Sequence, residues 1–262
     1  MSKWFIRPCK VDIGNMCRKM GINVPLALAL QAKGLNTPKK VKDYFNTENY
    51  SFGDITELIG VKRSFEIIEK AINENKKIFI YGDYDVDGVT STVILYKSLK
   101  ALGANVFYYI PNRVTDGYGL NVNAIERLIG KGMELLITCD NGIAAIEEIK
   151  YAKEKGIDVV IYDHHEPVIK DDKEILPEAD SVTDAKIENC GYDFTVMCAG
   201  GLCYRVMKSF YEYLGQKYTL EKEMIIFAGI ATVCDVVDLV GENRAIAKRS
   251  LELINDNIEI QD

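Results

Sequence analysis

From residue 78 onward the chain repeats one pattern, a short apolar run followed by a longer segment of helical periodicity. Ile78-Phe79-Ile80-Tyr81-Gly82 reads as a buried strand, rich in β-branched and aromatic residues. A helix over 89–102 follows and is closed by Gly103. The runs 106–110, 135–139 and 159–162 are the next strands, separated by helices at 121–130 and 144–155, the latter closed by Gly156. Strands separated by helices need crossover connections, and crossovers leave neighbouring strands parallel. The pattern therefore predicts an α/β chain: a parallel β-sheet flanked by helices on both faces, with a helical N-terminal lead and a helical C-terminal part. In the lead, Pro25 precedes an apolar stretch, and Thr37 is read as the cap of a helix opening at Pro38. Arg63 to Asn75 carries Phe65, Ile68 and Ile72 three and four apart, an amphipathic helix running into the first strand. After residue 170 the reading gives a polar loop at 171–178 and a last short strand at 180–184. Helices are then expected at 194–215, 220–232 and 244–254.

In an open parallel sheet the site lies beyond the carboxyl ends of the strands. The first strand runs into Asp83, Asp85 and Asp87, the third into Asp140-Asn141-Gly142, and the fourth into Asp163-His164-His165. Carboxylates crowded together repel one another unless a cation joins them. A side-chain period of two would send Asp83, Asp85 and Asp87 the same way. Hard oxygen ligands of this kind suit magnesium or manganese. A solvated acidic turn, with its acids favouring a helix N-terminus, is the alternative. The chain's two histidines are adjacent, directly after an aspartate, and Asp235 closes the helix expected at 220–232. Imidazole with carboxylates suits manganese, and four or five acids can hold two ions. Such a pair could polarise a phosphoryl oxygen and activate a water for in-line attack at phosphorus.

Charge and composition limit the partners. The net charge of −7 excludes a generally basic nucleic-acid coat. Residues 1–45 hold nine lysines and arginines against two acids, a net of +7, which leaves −14 for the rest. A basic arm attached to an acidic body is one reading, and a merely solvated N-terminal surface the other. No apolar run approaches the roughly 20 residues of a membrane span, and the N-terminus lacks a secretory pattern. Seven cysteines at irregular spacing form no CxxC pair. Together these give the expectation of a reduced, cytoplasmic protein with no membrane partner.

Tyr81-Gly82-Asp83-Tyr84-Asp85-Val86-Asp87-Gly88, Cys139-Asp140-Asn141-Gly142 and Asp163-His164-His165 resemble the signature motifs of the DHH phosphoesterases. Within them the chain resembles the catalytic core of the single-strand-specific 5′→3′ DNA exonucleases. Pro111-Asn112-Arg113 with Gly117-Tyr118-Gly119-Leu120, the segment 198–202 and Thr232 to Val237 carry the closer likeness, as does the lead with its early Trp4. The resemblance implies Asp85, Asp140 and Asp235 on one metal and Asp87, Asp140 and His164 on the other, with Asp140 bridging. It implies two divalent ions, manganese preferred or magnesium. Asp83 would neighbour the ions, and His165 would contact the scissile phosphate or protonate the leaving oxygen. Arg113 is a candidate phosphate contact, since a guanidinium matches phosphate oxygens in a fork. Tyr118 could stack a base or pack on the core. Gly200 and Gly201 could bring backbone N–H groups to a phosphate or serve close helix packing.

Chains of this family ordinarily continue into a DHH-associated domain and an oligonucleotide-binding fold. The expected organisation here is a basic helical lead over 1–75, a DHH phosphoesterase domain over 76–240, and the start of a connecting helix over 241–262. The closing domains are absent from this expectation. An Asn-Pro common after the fifth strand is replaced by Asp184-Ala185. The implied partners are single-stranded DNA, a second chain supplying the closing domain, a single-strand-binding protein or a helicase. The implied setting is DNA repair and recombination. Two alternatives stand beside the exonuclease: a phosphoesterase on short oligonucleotides or nucleotide phosphates, and a non-catalytic scaffold of a replication or repair complex. Relative rates on dinucleotides and long strands separate the first. The complete set of aspartates and histidines speaks against the second.

Overall fold

The computed structural model describes residues 12–47, 50–113, 117 and 119–256. Its backbone forms two compact units that meet in sequence at Tyr50/Ser51. The first unit is three short helices, α1 (Ile13–Met20), α2 (Val24–Ala32) and α3 (Pro38–Phe45). Asp12, Asn23 and Thr37 cap them by accepting backbone N–H groups, as expected for Thr37. Met16, Ala27, Leu30 and Val41 form its own small core.

The second unit holds the sheet. Its helices begin with α4 (Val61–Asn73), which buries Val61, Phe65 and Ile68 in the same core as the strands. That packing places the division between units ahead of the 75/76 boundary expected from sequence. The strands β1 (Ile78–Tyr81), β2 (Val106–Tyr109), β3 (Leu135–Cys139), β4 (Asp158–Tyr162) and β7 (Ser181–Thr183) form one sheet, ordered β2-β1-β3-β4-β7 and parallel throughout. A short antiparallel ribbon, β5 (Val168–Lys170) and β6 (Lys173–Ile175), stands apart. Alternate side chains serve opposite faces. Ile78, Ile80, Leu135 and Ile137 join α4 and the helices α5 (Val86–Ala101), α8 (Ala199–Tyr213), α9 (Glu221–Cys234) and α10 (Gly241–Asn255). Phe79, Tyr81, Leu136 and Val159 pack instead against α6 (Val122–Gly130) and α7 (Ile146–Glu154). Burial on both faces explains why β1, β3 and β4 read as continuous apolar runs, while Phe107 and Tyr108 of the edge strand β2 are exposed. From β1 the chain goes out to β2 and returns past β1 to β3. The strand order therefore reverses between β1 and β3, which opens a crevice at their carboxyl ends.

Three of the departures from expectation have a local cause. Helix α5 begins at Val86 instead of 89, because Asp85 caps it by accepting the Gly88 N–H at 2.9 Å. Helix α8 begins at Ala199 instead of 194: Cys198 is extended and its Sγ accepts the Gly201 N–H at 3.4 Å. The polar loop at 171–178 contains half of the β5–β6 ribbon, turned by Asp171 and Asp172 at φ of 52° and 59°. Asp and Asn tolerate this left-handed backbone better than most residues. No helix among the described residues is long and apolar enough to cross a membrane.

Candidate metal centre

The turn from β1 into α5 is fixed by a close approach. A Cβ at Gly88 would lie 2.5 Å from the Asp83 nitrogen and 2.6 Å from its Cα, so the helix start and the turn touch backbone to backbone. Asp83 is buried there, accepting the Tyr84 N–H at 2.8 Å. Asp87 lies in the first turn of α5 and is 2% exposed. Its two oxygens accept the N–H groups of Ala199 (2.8 Å) and Gly200 (2.7 Å) at the start of α8. The acids therefore fan out from a turn and a helix start, and the period of two does not govern them.

Asp140 follows β3 in the left-handed region, with φ of 62°. Such backbone is uncommon outside glycine and clusters at functional sites. Beside it, Asn141 Nδ2 donates to the carbonyls of Cys139 (3.0 Å) and Tyr81 (3.5 Å), tying the ends of β3 and β1 together. After β4, Asp163 organises both histidines. Its Oδ1 lies 2.7 Å from His165 Nδ1 and accepts the His164 N–H at 2.8 Å, while Oδ2 accepts the Ile143 N–H at 2.9 Å. His164 is central: Nε2 lies 3.0 Å from Asp140 Oδ1 and 3.5 Å from Asp87 Oδ2, and Nδ1 lies 3.8 Å from Asp235 Oδ2.

The electrostatics follow from this crowding. Burial, then repulsion from Asp87 and Asp85, pushes Asp140 up to about 10. Burial raises Asp83, Asp87 and Asp235 as well, and lowers His164. The hydrogen bond to Asp163 raises His165 to about 9. Burial works to raise Asp163 too, but the bonds from His165, Ile143 and His164 outweigh it and leave the carboxyl below its ordinary value. The acids thus cannot all ionise on their own. The donor set fits divalent cations: carboxylate oxygens with up to two imidazoles, in groups whose ligand atoms lie within 4.8 Å of one another. These groups are Asp83–Asp85–Asp140, Asp87–His164–Asp235 and Asp140–His164–His165.

All five residues expected as metal ligands, Asp85, Asp87, Asp140, His164 and Asp235, meet in the crevice, with Asp83 and His165 beside them. Asp235 groups with Asp87 and His164, not with Asp85 and Asp140. Arg113, beyond β2, stacks its guanidinium over the Tyr84 ring at 5.3 Å. Gly200 and Gly201 are buried in the first turn of α8, and their N–H groups are taken by Asp87 and Cys198. These N–H groups are therefore not offered to a phosphate, and a Cβ at Gly200 would lie 2.4 Å from Ala231 Cβ, the close helix packing that was the other reading of these glycines. Tyr118, Trp4 and the basic residues Lys3, Arg7 and Lys10 lie outside the described residues. Sequence reasoning missed the clamp of the α8 start on Asp87, for which the small residues Ala199-Gly200-Gly201 were the available signal. It also missed the extent to which Asp184 is buried. That residue is fully enclosed, its Oδ1 accepts the Lys186 N–H at 2.8 Å, and Oδ2 has no hydrogen-bond partner.

Residues 77–232 match the family described as DHH family, N-terminal domain. The single-stranded-DNA-specific exonuclease RecJ of Bacillus subtilis is 37% identical over 251 residues, covering 95% of this chain and 30% of that protein. The RecJ of Thermus thermophilus is 32% identical over 197 residues, 75% of this chain and 28% of that protein. This chain therefore spans about a third or less of these relatives. Among solved structures, exonuclease RecJ bound to manganese is 31% identical with a TM-score of 0.66, over 74% of this chain and 48% of that one. Thermus thermophilus RecJ in complex with Mn2+ is 25% identical with a TM-score of 0.71, over 92% and 33%.

Proposed function

This chain belongs to the DHH family, and from that premise we propose that it hydrolyses phosphodiester bonds with divalent ions, acting on single-stranded DNA from the 5′ end. The observation that carries the reading is the position of His164, whose ring reaches Asp87, Asp140 and Asp235 from three separate segments of chain. A solvated acidic turn has no need of such convergence. Asp83, Asp85 and Asp140 would hold one ion and Asp87, His164 and Asp235 a second, manganese or magnesium. When bound, the ions would supply Lewis acidity, neutralising charge on the phosphoryl oxygens and favouring ionisation of the attacking water.

The chain's own groups supply the rest. Asp163 holds His165 by Nδ1, which fixes the ring and leaves Nε2 to donate a proton to the leaving oxygen or a hydrogen bond to the phosphate. The backbone N–H groups at the start of α8 fix both Asp87 oxygens, so this ligand is oriented before anything binds. Arg113, stacked over Tyr84, would contact a phosphate of the substrate. The DNA substrate is supported by the RecJ relatives, and we propose a role in DNA repair or recombination on that substrate.

The test is manganese-dependent release of mononucleotides from end-labelled single-stranded DNA, with Asp140→Ala as control. Release beginning at the 5′ end is expected from the wild type. Asp140→Ala is expected to lose at least about a thousandfold, because a central ligand is removed. Near-normal activity of that variant, or tight manganese binding with no release by the wild type, would refute the reading.

A further inference from the structure

The two outer strands of the sheet, β2 and β7, deliver no acid to the groups that would hold metal. Each instead leads to a cation. Arg113 follows β2, and Lys186 follows β7. Four intervals separate these strands, a span of roughly 19 Å at ordinary strand spacing. The metal-binding acids after β1 and β3 lie between them.

Lys186 reaches the loop that carries the two histidines. Its Nζ lies 3.2 Å from Glu166 Oε1, and Glu166 directly follows His165. Its backbone N–H is tied to buried Asp184. The Glu166 carboxylate is 80% exposed, so this ion pair holds Lys186 weakly and a phosphate can replace it. Beside the pair opens a cavity of about 560 Å³, lined by Lys186, Asn189, Asp193 and Thr195 among others, with room for a nucleotide.

We propose that Lys186 binds a phosphate of the substrate strand flanking the scissile one, on the side opposite Arg113. The two cations then grip a strand laid across the carboxyl edge of the sheet. The inference rests on the phosphodiesterase reading and gives it a substrate requirement: at least one phosphate beyond the bond that is cut.

Three measurements on Lys186→Ala and Lys186→Arg decide it. On a single-stranded oligonucleotide with manganese, the alanine variant is expected to raise KM about tenfold with kcat within about twofold, and arginine to restore most of the loss. On bis(para-nitrophenyl) phosphate, which has no flanking phosphate, both variants should match the wild type. The slope of log binding constant against log salt for the oligonucleotide should fall by about 0.7 in the alanine variant, the value of one lost phosphate contact. An unchanged KM and slope would overturn the proposal, and so would an equal loss on the small diester, which would place Lys186 at the scissile phosphate or in the fold. A wild type inactive on both substrates would defeat the hydrolysis reading itself, while the salt slope would still decide the role of Lys186.

Discussion

Single residues in the crevice carry opposed demands, and Asp184 shows them without a metal in the argument. It is fully buried, one oxygen lacks a partner, and burial with the nearby Asp163 charge raises it to about 8 against an ordinary value of 3.8. The folded state therefore holds a proton that the unfolded chain releases, so wild-type stability declines as pH rises from about 4 to about 8. Asp184→Asn keeps the acceptor for the Lys186 N–H and cannot ionise. In chelated protein this variant should match the wild type near pH 4 and gain on the order of 1–3 kcal/mol by pH 8, read as a rising difference in Tm. A pH-independent difference would refute the account. The aspartates and the histidine pair were legible from sequence, since only their placement after successive strands was needed. That Asp163 would be the clamp, bonded to Ile143 and both histidines, was not, because it depends on how the β3 and β4 loops lie against each other.

At the level of elements, the start of α5 is where fold and chemistry meet. The turn is held by the absence of a side chain at Gly88, packed on the Asp83 backbone. Gly88→Ala is expected to cost about 1–3 kcal/mol of stability and to reduce the rise in Tm that manganese gives, because the turn carries Asp83 and Asp85 while Asp87 adjoins the glycine. A loss of stability with an unchanged manganese shift would show the turn and the ligands to be separable. The central strands β1, β3 and β4 were readable because burial on both faces makes them continuous apolar runs. The helix starts were not, because local hydrogen bonds to Asp85 and Cys198 decide them. The β5–β6 ribbon was hidden for another reason: its strands are three residues each and none of them is buried, so they are too short for an alternation to mark them.

For the whole molecule, every residue of the crevice and both sheet-facing cores belong to residues 51–256, while residues 12–50 have a core of their own. A chain of residues 51–262 is thus expected to melt cooperatively and to keep the manganese-induced rise in Tm, as checked by calorimetry with and without the ion. Loss of the cooperative transition would show that the lead is needed for folding. The order of strands and helices, the parallel sheet and the edge bearing the site were determined by sequence alone, since hydrophobic periodicity and crossover geometry leave few arrangements. Tertiary structure decided which acids share a group, with Asp235 beside Asp87 and His164, and it turned the Gly200 N–H onto Asp87. It also set Arg113 and Lys186 at opposite margins of the sheet. These depend on contacts between residues as much as 148 positions apart, such as Asp87 and Asp235 meeting at His164, which no local pattern encodes.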